Sequence, residues 1–187
     1  MKHSLVRETI VKTASRLFYE QGYNLTGINE IIKEAGIAKA TLYSHFRSKE
    51  DLCVAYLKFR NETFLVDIEA FCRKQSRGEA QLLGLFGFLE KFYDDKGFNG
   101  CWCMNTVSEL PRDNGQVRKE IQKQKNDFLA LIEKLMQDNY PDMTEKKQDL
   151  LAKQIYLIYE GAISESHLHQ SSWPIQSAKE LCQQILK

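Results

Sequence analysis

Apolar residues recur at helical spacing along nearly the whole chain. Ile10, Ala14, Leu17 and Phe18 fall at i, i+4, i+7 and i+8, which places them on one face of a helix over about 5–21. Gly22 follows as a C′ glycine that would end it. Ile28, Ile31, Ile32 and Ala35 share one face of a short second helix, with Thr26 in the N-cap place, and Gly36 breaks it. A third short helix over 39–46 turns Leu42 and Phe46 inward. Ser48 with Asp51 three residues on has the form of a capping box for a fourth helix over 49–70.

Downstream the pattern stays helical. Residues 79–95 carry Leu82, Leu83, Leu85, Phe86, Phe88, Leu89, Phe92 and Tyr93, so this helix is either central to the body or lines a cavity. Gly97 and Gly100 interrupt the chain, and a short helix is predicted over 103–110, stopped by Pro111. Long amphipathic helices are predicted over 116–139 and 144–169, separated at Pro141. Trp173-Pro174 marks a further break before a last helix over 175–186. Strand alternation, internal repeats and low-complexity segments are missing. The fold class that follows is all-α.

Two short helices joined by a tight glycine turn form a helix-turn-helix, here over 27–46 and opened by Thr26. Ile28, Ile31, Ile32, Ala35, Ile37, Leu42 and Phe46 lock the pair together. Lys39, Ala40, Thr41, Tyr43, Ser44 and His45 are left outward, and these cationic, small, hydroxylated or ring-bearing groups suit base edges, thymine methyls and phosphates. Thr26, Gly27 and the first amides of the second helix are placed to hold a phosphate, and Lys49 supplies a further cation. Periodicity alone leaves a second reading open, a three-helix core with a solvated polar face.

Charge sharpens this only slightly. The net charge is +1, but residues 1–60 have a balance of +4 and the remainder −3, as a DNA-binding head on an acidic body would. Composition, 43% hydrophobic and 27% charged, is that of a globular chain. No secretory h-region and no run of about 18 apolar residues is present, so a cytoplasmic protein without a membrane span is expected. Five scattered cysteines suggest reduced thiols rather than a disulfide framework. Cys101 and Cys103 lack the matched partners of a zinc site, so no metal and no cofactor is expected.

The stretch from Arg7 to Leu52 resembles the TetR family of bacterial regulators. The resemblance is carried by Phe18-Tyr19-Glu20-Gln21-Gly22-Tyr23, by Thr26, Ile28, Ile31 and Ala35-Gly36-Ile37, and by the run Thr41-Leu42-Tyr43-Ser44-His45-Phe46-Arg47-Ser48-Lys49-Glu50-Asp51-Leu52. It implies a three-helix DNA-binding domain at 1–50 and a larger helical ligand-binding and dimerisation domain at 51–187. It further implies a homodimeric repressor that binds double-stranded DNA at a palindromic operator and releases it to a small-molecule effector. On that resemblance Thr41, Tyr43, His45 and Lys49 look like backbone contacts, and Lys39, Ala40 and Ser44 like base readers.

Asn99-Gly100-Cys101-Trp102-Cys103-Met104-Asn105-Thr106 with Glu109 and Pro111 resembles one TetR subgroup and suggests that Trp102, Asn105 and Glu109 lie near the body's centre. An effector site would be mostly apolar with a few polar groups. Its candidates are Phe86, Leu89, Phe92, Tyr93, Trp102, Met104, Tyr156, Tyr159 and Glu160, with Asn105 or His167 adding polarity. For each of them plain core packing is the competing reading. Glu160 inside an apolar run either has a buried partner, meets a ligand cation or faces solvent. For the dimer, helices 116–139 and 144–169 would pair as hairpins in a four-helix bundle, using Gly161-Ala162, Ile155, Ile158 and Ile163.

Two rivals remain at this point. Phosphate loops, nucleophile elbows, HExxH and paired-carboxylate motifs are missing, which leaves an enzyme only a Cys101 or Cys103 nucleophile with His167 as base. The other rival keeps the DNA head and senses redox state or a partner protein. No catalytic residue is assigned.

Overall fold

The computed structural model describes residues 2–112 and 115–187, with side chains from Leu5 onward. Among these residues the secondary structure is helical throughout: α1 (Lys2–Gln21), α2 (Ile28–Glu34), α3 (Lys39–His45), α4 (Lys49–Arg73), α5 (Glu79–Tyr93), α6 (Trp102–Ser108), α7 (Gly115–Asn139), α8 (Glu145–His169) and α9 (Trp173–Ile185). The all-α expectation holds. The chain forms two compact units. One takes the residues through Thr63 together with Trp102–Gln124, and the other takes Phe64–Cys101 and Lys125–Lys187. Helices α4 and α7 each give their first turns to one unit and their last turns to the other.

In the first unit α1 packs on α2 and α2 on α3. Ile10, Ala14, Leu17 and Phe18 are buried as their spacing requires, and Ile31 and Leu42 are wholly buried against them. Each of these side chains larger than alanine contributes about 1.5–3 kcal/mol by leaving water. Arg16 on α1 adds an ion pair to Glu34 on α2 at 2.9 Å, with both side chains nearly half exposed, so it is worth at most about 1 kcal/mol.

Thr26 corrects the expected start of α2. The N-cap is Gly27, in extended conformation and without a side-chain cap. Thr26 is wholly buried, and its hydroxyl reaches Gly22 O at 2.7 Å and Leu17 O at 3.1 Å. The hydroxyl thus ties the exit of the turn back to a carbonyl of α1 and to that of Gly22 just beyond its end. The α4 cap matches its expectation, since Asp51 N donates to Ser48 Oγ at 3.0 Å. The Asp51 carboxylate does not complete the box and instead accepts from Gln116 Nε2 at 3.1 Å. Helix α4 runs past residue 70 to Arg73 because Ile68 and Cys72 extend its buried face.

In the second unit α8 packs on α9, and α5 packs on both. A Cβ at Gly84 would lie 3.2 Å from Cys72 Cα, and one at Gly87 would lie 3.2 Å from Phe71 Cε1. These glycines let α5 approach the end of α4, so α5 is central to this unit. Trp173-Pro174 is the first turn of α9 rather than a break before it, with Ser172 at the N-cap. Proline is tolerated there because its missing N–H has no intrahelical partner anyway. The segment after Gly100 also ends early. Glu109 N and Leu110 N bond to Thr106 O and Val107 O, which tightens the last turn ahead of Pro111.

Candidate nucleic-acid interface

Helix α3 has seven residues, and burial divides them sharply. Leu42 is wholly buried and Phe46, its C-cap, nearly so, which leaves Lys39, Ala40, Tyr43 and Ser44 on the exposed side. Thr41 and His45 are half-buried at the edges of this face. The Ser44 hydroxyl donates to Thr41 O at 2.8 Å, and its lone pairs stay available to a base or phosphate. Phe46 is covered from the other side by Arg7, whose guanidinium sits 5.1 Å from the ring centroid. The expected outward set therefore shares one face, except that the Thr26 hydroxyl is turned into the core. Any phosphate at that point would meet the amides that start at Gly27, whose surroundings are open.

Lys49 lies over the turn between α1 and α2. Its Nζ is 4.5 Å from the Tyr23 ring centroid and donates to Asn24 O at 3.4 Å. Burial lowers the Lys49 pKa, partly offset by the nearby Cys53 and Glu109, and burial pushes the Tyr23 hydroxyl up to about 12. The opposite side of the turn is held by Glu109. Its carboxylate accepts from Tyr23 N at 3.2 Å and Asn24 N at 2.7 Å, and its carbonyl accepts from Asn24 Nδ2 at 2.9 Å. Glu109 is thus not at the centre of the body. It belongs with the head, as do Trp102 and Asn105.

Trp102 is buried. The Arg60 guanidinium lies 5.3 Å from its ring and 4.0 Å from that of Tyr19, so α4 joins α6 to α1. Of the remaining effector candidates, Phe86, Tyr156 and Tyr159 come together in the second unit. Tyr159 lies 5.9 Å from Phe86 and 4.8 Å from Phe128, which in turn is 6.1 Å from Tyr156. Leu89 is wholly buried in the same unit. Phe92 and Tyr93 instead gather on Phe98, at 5.3 and 5.1 Å, with His167 at 6.1 Å on its other side. Met104 is 47% exposed and lines no interior.

Glu160 has a partner that the sequence did not indicate. Lys125 Nζ is 2.6 Å from both carboxylate oxygens and 3.2 Å from Cys101 Sγ. Burial raises the Glu160 pKa, opposed by the Lys125 charge. The Tyr159 hydroxyl is buried with no hydrogen-bond partner among the described residues.

Comparison with known proteins adds the deciding observation. The model for the N-terminal domain of bacterial regulatory proteins of the tetR family matches residues 10–56, and that for the tetracyclin repressor-like C-terminal domain matches residues 78–182. The chain belongs to the TetR family. It is a DNA-binding transcriptional regulator with a helix-turn-helix.

Among its relatives, the HTH-type transcriptional regulator YxaF of Bacillus subtilis is 53% identical over 49 residues, covering 26% of each chain. The HTH-type transcriptional repressor ComR of Escherichia coli K12 is 29% identical over 114 residues, 59% of this chain and 54% of its own. The matched part is less than two thirds of these relatives' lengths. A TetR-family regulator from Streptomyces coelicolor shares the fold, with a TM-score of 0.86 over 98% of this chain and 95% of its own at 23% identity. No helix among the described residues is long and apolar enough to cross a membrane.

The TetR head was legible because its motifs are local. Lys125, Arg60 and the destination of Glu109 were not, since each acts across a long sequence separation that periodicity does not record.

Proposed function

We propose that this TetR-family protein is a homodimeric repressor that holds a palindromic operator through α3 and releases it when a small molecule occupies the helical body. The observation that carries the reading is the outward face of α3. In it Thr41, Tyr43 and His45, joined by Lys49 at the start of α4, fix position on phosphates, and Lys39, Ala40 and Ser44 read bases. Residues 1–50 carry the DNA-reading helices, the effector and dimerisation surfaces lie within 51–187 while the end of α6 serves the head, the protein works in the cytoplasm, and it performs no catalysis.

The dimer reading is supported by exposed apolar side chains along α8 and α9. Leu157 is 66% exposed and Leu168 72%, with Leu150 and Leu181 also exposed, and a Cβ at Gly161 would meet nothing within 4 Å. This stripe differs from the one expected from sequence. Ile155, Ala162 and Ile163 are buried within their own chain, which removes them from any partner surface. Two-fold pairing presents two recognition helices, so operator half-sites would lie one or more helical turns apart, roughly 34–36 Å per turn. The effector site is sought around Phe86, Tyr156 and Tyr159, where the unpartnered Tyr159 hydroxyl offers a donor. A thiol-sensing variant of this reading is favoured by one contact, the Lys125 ammonium beside Cys101 Sγ. Operator release by oxidant and its loss in Cys101→Ser would distinguish it.

Selection from random-sequence duplex DNA tests the reading. The protein should enrich a palindrome, Tyr43→Ala should weaken all duplexes together, and Lys39→Ala should change the enriched bases. Enrichment of no sequence at low salt refutes it.

A further inference from the structure

We infer that Glu109 is a positioning residue for DNA recognition, gripping the α1–α2 turn so that the attitude of the helix-turn-helix is set from the end of α6. The inference rests on the DNA-binding reading above and deepens it. It begins with the turn itself. Gly22 has φ +93°, and a Cβ added there would lie 2.6 Å from Glu109 Oε1. The backbone conformation favours glycine here, and any Cβ would push this carboxylate off its place on the turn. Tyr23 N and Asn24 N, which follow the end of α1 without helical acceptors, both donate to the Glu109 carboxylate. Charge-assisted bonds of this kind are about twice as strong as neutral ones. The Asn24 side chain returns a third bond to the Glu109 carbonyl.

The rest of the turn is equally committed. Lys49, opening α4, takes the Asn24 carbonyl and the Tyr23 ring. Thr26 fastens the exit of the turn to Leu17 O on α1 and to Gly22 O just beyond it. One residue later Gly27 starts α2, which packs on α3. Moving the end of α6 therefore pulls on two backbone amides only a few residues ahead of the helix pair. At its other end α6 is tied to α1 through Trp102, Arg60 and Tyr19, so the segment bears on the head at both ends.

The test uses the full chain and the duplex that the wild type enriches. Glu109→Gln keeps the shape but faces one N–H with an amide donor. It should lower affinity for the enriched duplex roughly tenfold, within the range of site-to-site couplings. Removing a negative charge should leave affinity for random duplex unchanged or slightly raised, so the expected loss on the enriched duplex runs against the electrostatic effect of the substitution. If the variant binds the enriched duplex within twofold of wild type, the inference is wrong. It is also wrong if both affinities fall in step with melting temperature, which marks a purely structural role. Amide exchange of Tyr23 and Asn24 in the wild type provides a check that needs no variant, because protection is required and rapid exchange overturns the grip. Should the wild type enrich no sequence, the DNA-binding reading falls and this inference with it.

Discussion

Replacing Lys125 by Met should cost this protein about 3 kcal/mol at neutral pH, and that cost should shrink on acidification. The ammonium lies 2.6 Å from each oxygen of Glu160, with side chains only 19% and 18% exposed. At an effective dielectric constant of about 20 a pair this close attracts by roughly 6 kcal/mol, set against several kcal/mol of desolvation for each ion. The methionine removes the attraction and leaves the carboxylate half-buried and alone. Breaking such pairs costs about 3–5 kcal/mol, and the residual exposure places this one at the lower end. For a chain of this size that is a fall in Tm of roughly 6–12 °C.

The pH dependence has a definite sign. Burial raises the Glu160 pKa above its ordinary value, so as pH falls the native carboxyl takes up its proton before the unfolded one does. The folded state is then relieved of a buried charge, and the variant's deficit shrinks as pH drops through the raised pKa. Urea melts at fixed protein concentration, run at about pH 8 and about pH 5, measure both quantities. The double variant Lys125→Met with Glu160→Gln should return to within about 1 kcal/mol of wild type. A deficit below about 1 kcal/mol, a deficit equal at both pH values, or strict additivity in the double variant would refute the reasoning.

Other expectations follow from features of the two units. Thr26→Val should lose about 1–3 kcal/mol in urea melts, because the hydroxyl bonds to Leu17 O and Gly22 O are lost, whereas Thr26→Ser should stay near wild type. Leu157→Glu places a charge in the exposed stripe of α8, and sedimentation should show monomers that retain wild-type helicity. A persisting dimer would place the two-fold interface elsewhere.

Several of these features could be read from sequence and others could not, for physical reasons. Helices α1 to α4 announce themselves because their signals are local: period, Gly22 and Gly36, and Ser48 bonding three residues on. Thr26 misled for a related reason, since a hydroxyl before a helix suits an N-cap but here serves the preceding helix, and sequence does not say which end is nearer. Trp173-Pro174 reads as a break in sequence yet opens α9, because proline both stops helices and starts them. The surroundings of Glu109 and Glu160 lay beyond reach altogether. Their partners are 85 and 35 residues away, and a carboxylate's own position carries no mark of which distant group it will meet.

The grouping of Trp102–Gln124 with the head bears on how such regulators are recombined. A chimera cut at residue 50, or even after α4, would carry the recognition helix but leave behind the carboxylate that holds the turn ahead of it. The incoming body would then have to supply an acceptor of the same reach, against a glycine in the place of Gly22. Head and body are therefore not freely exchangeable modules here. The transplantable piece is discontinuous, the first 63 residues plus the stretch through α6, and a graft that respects this seam should keep its DNA specificity where a simple one loses it.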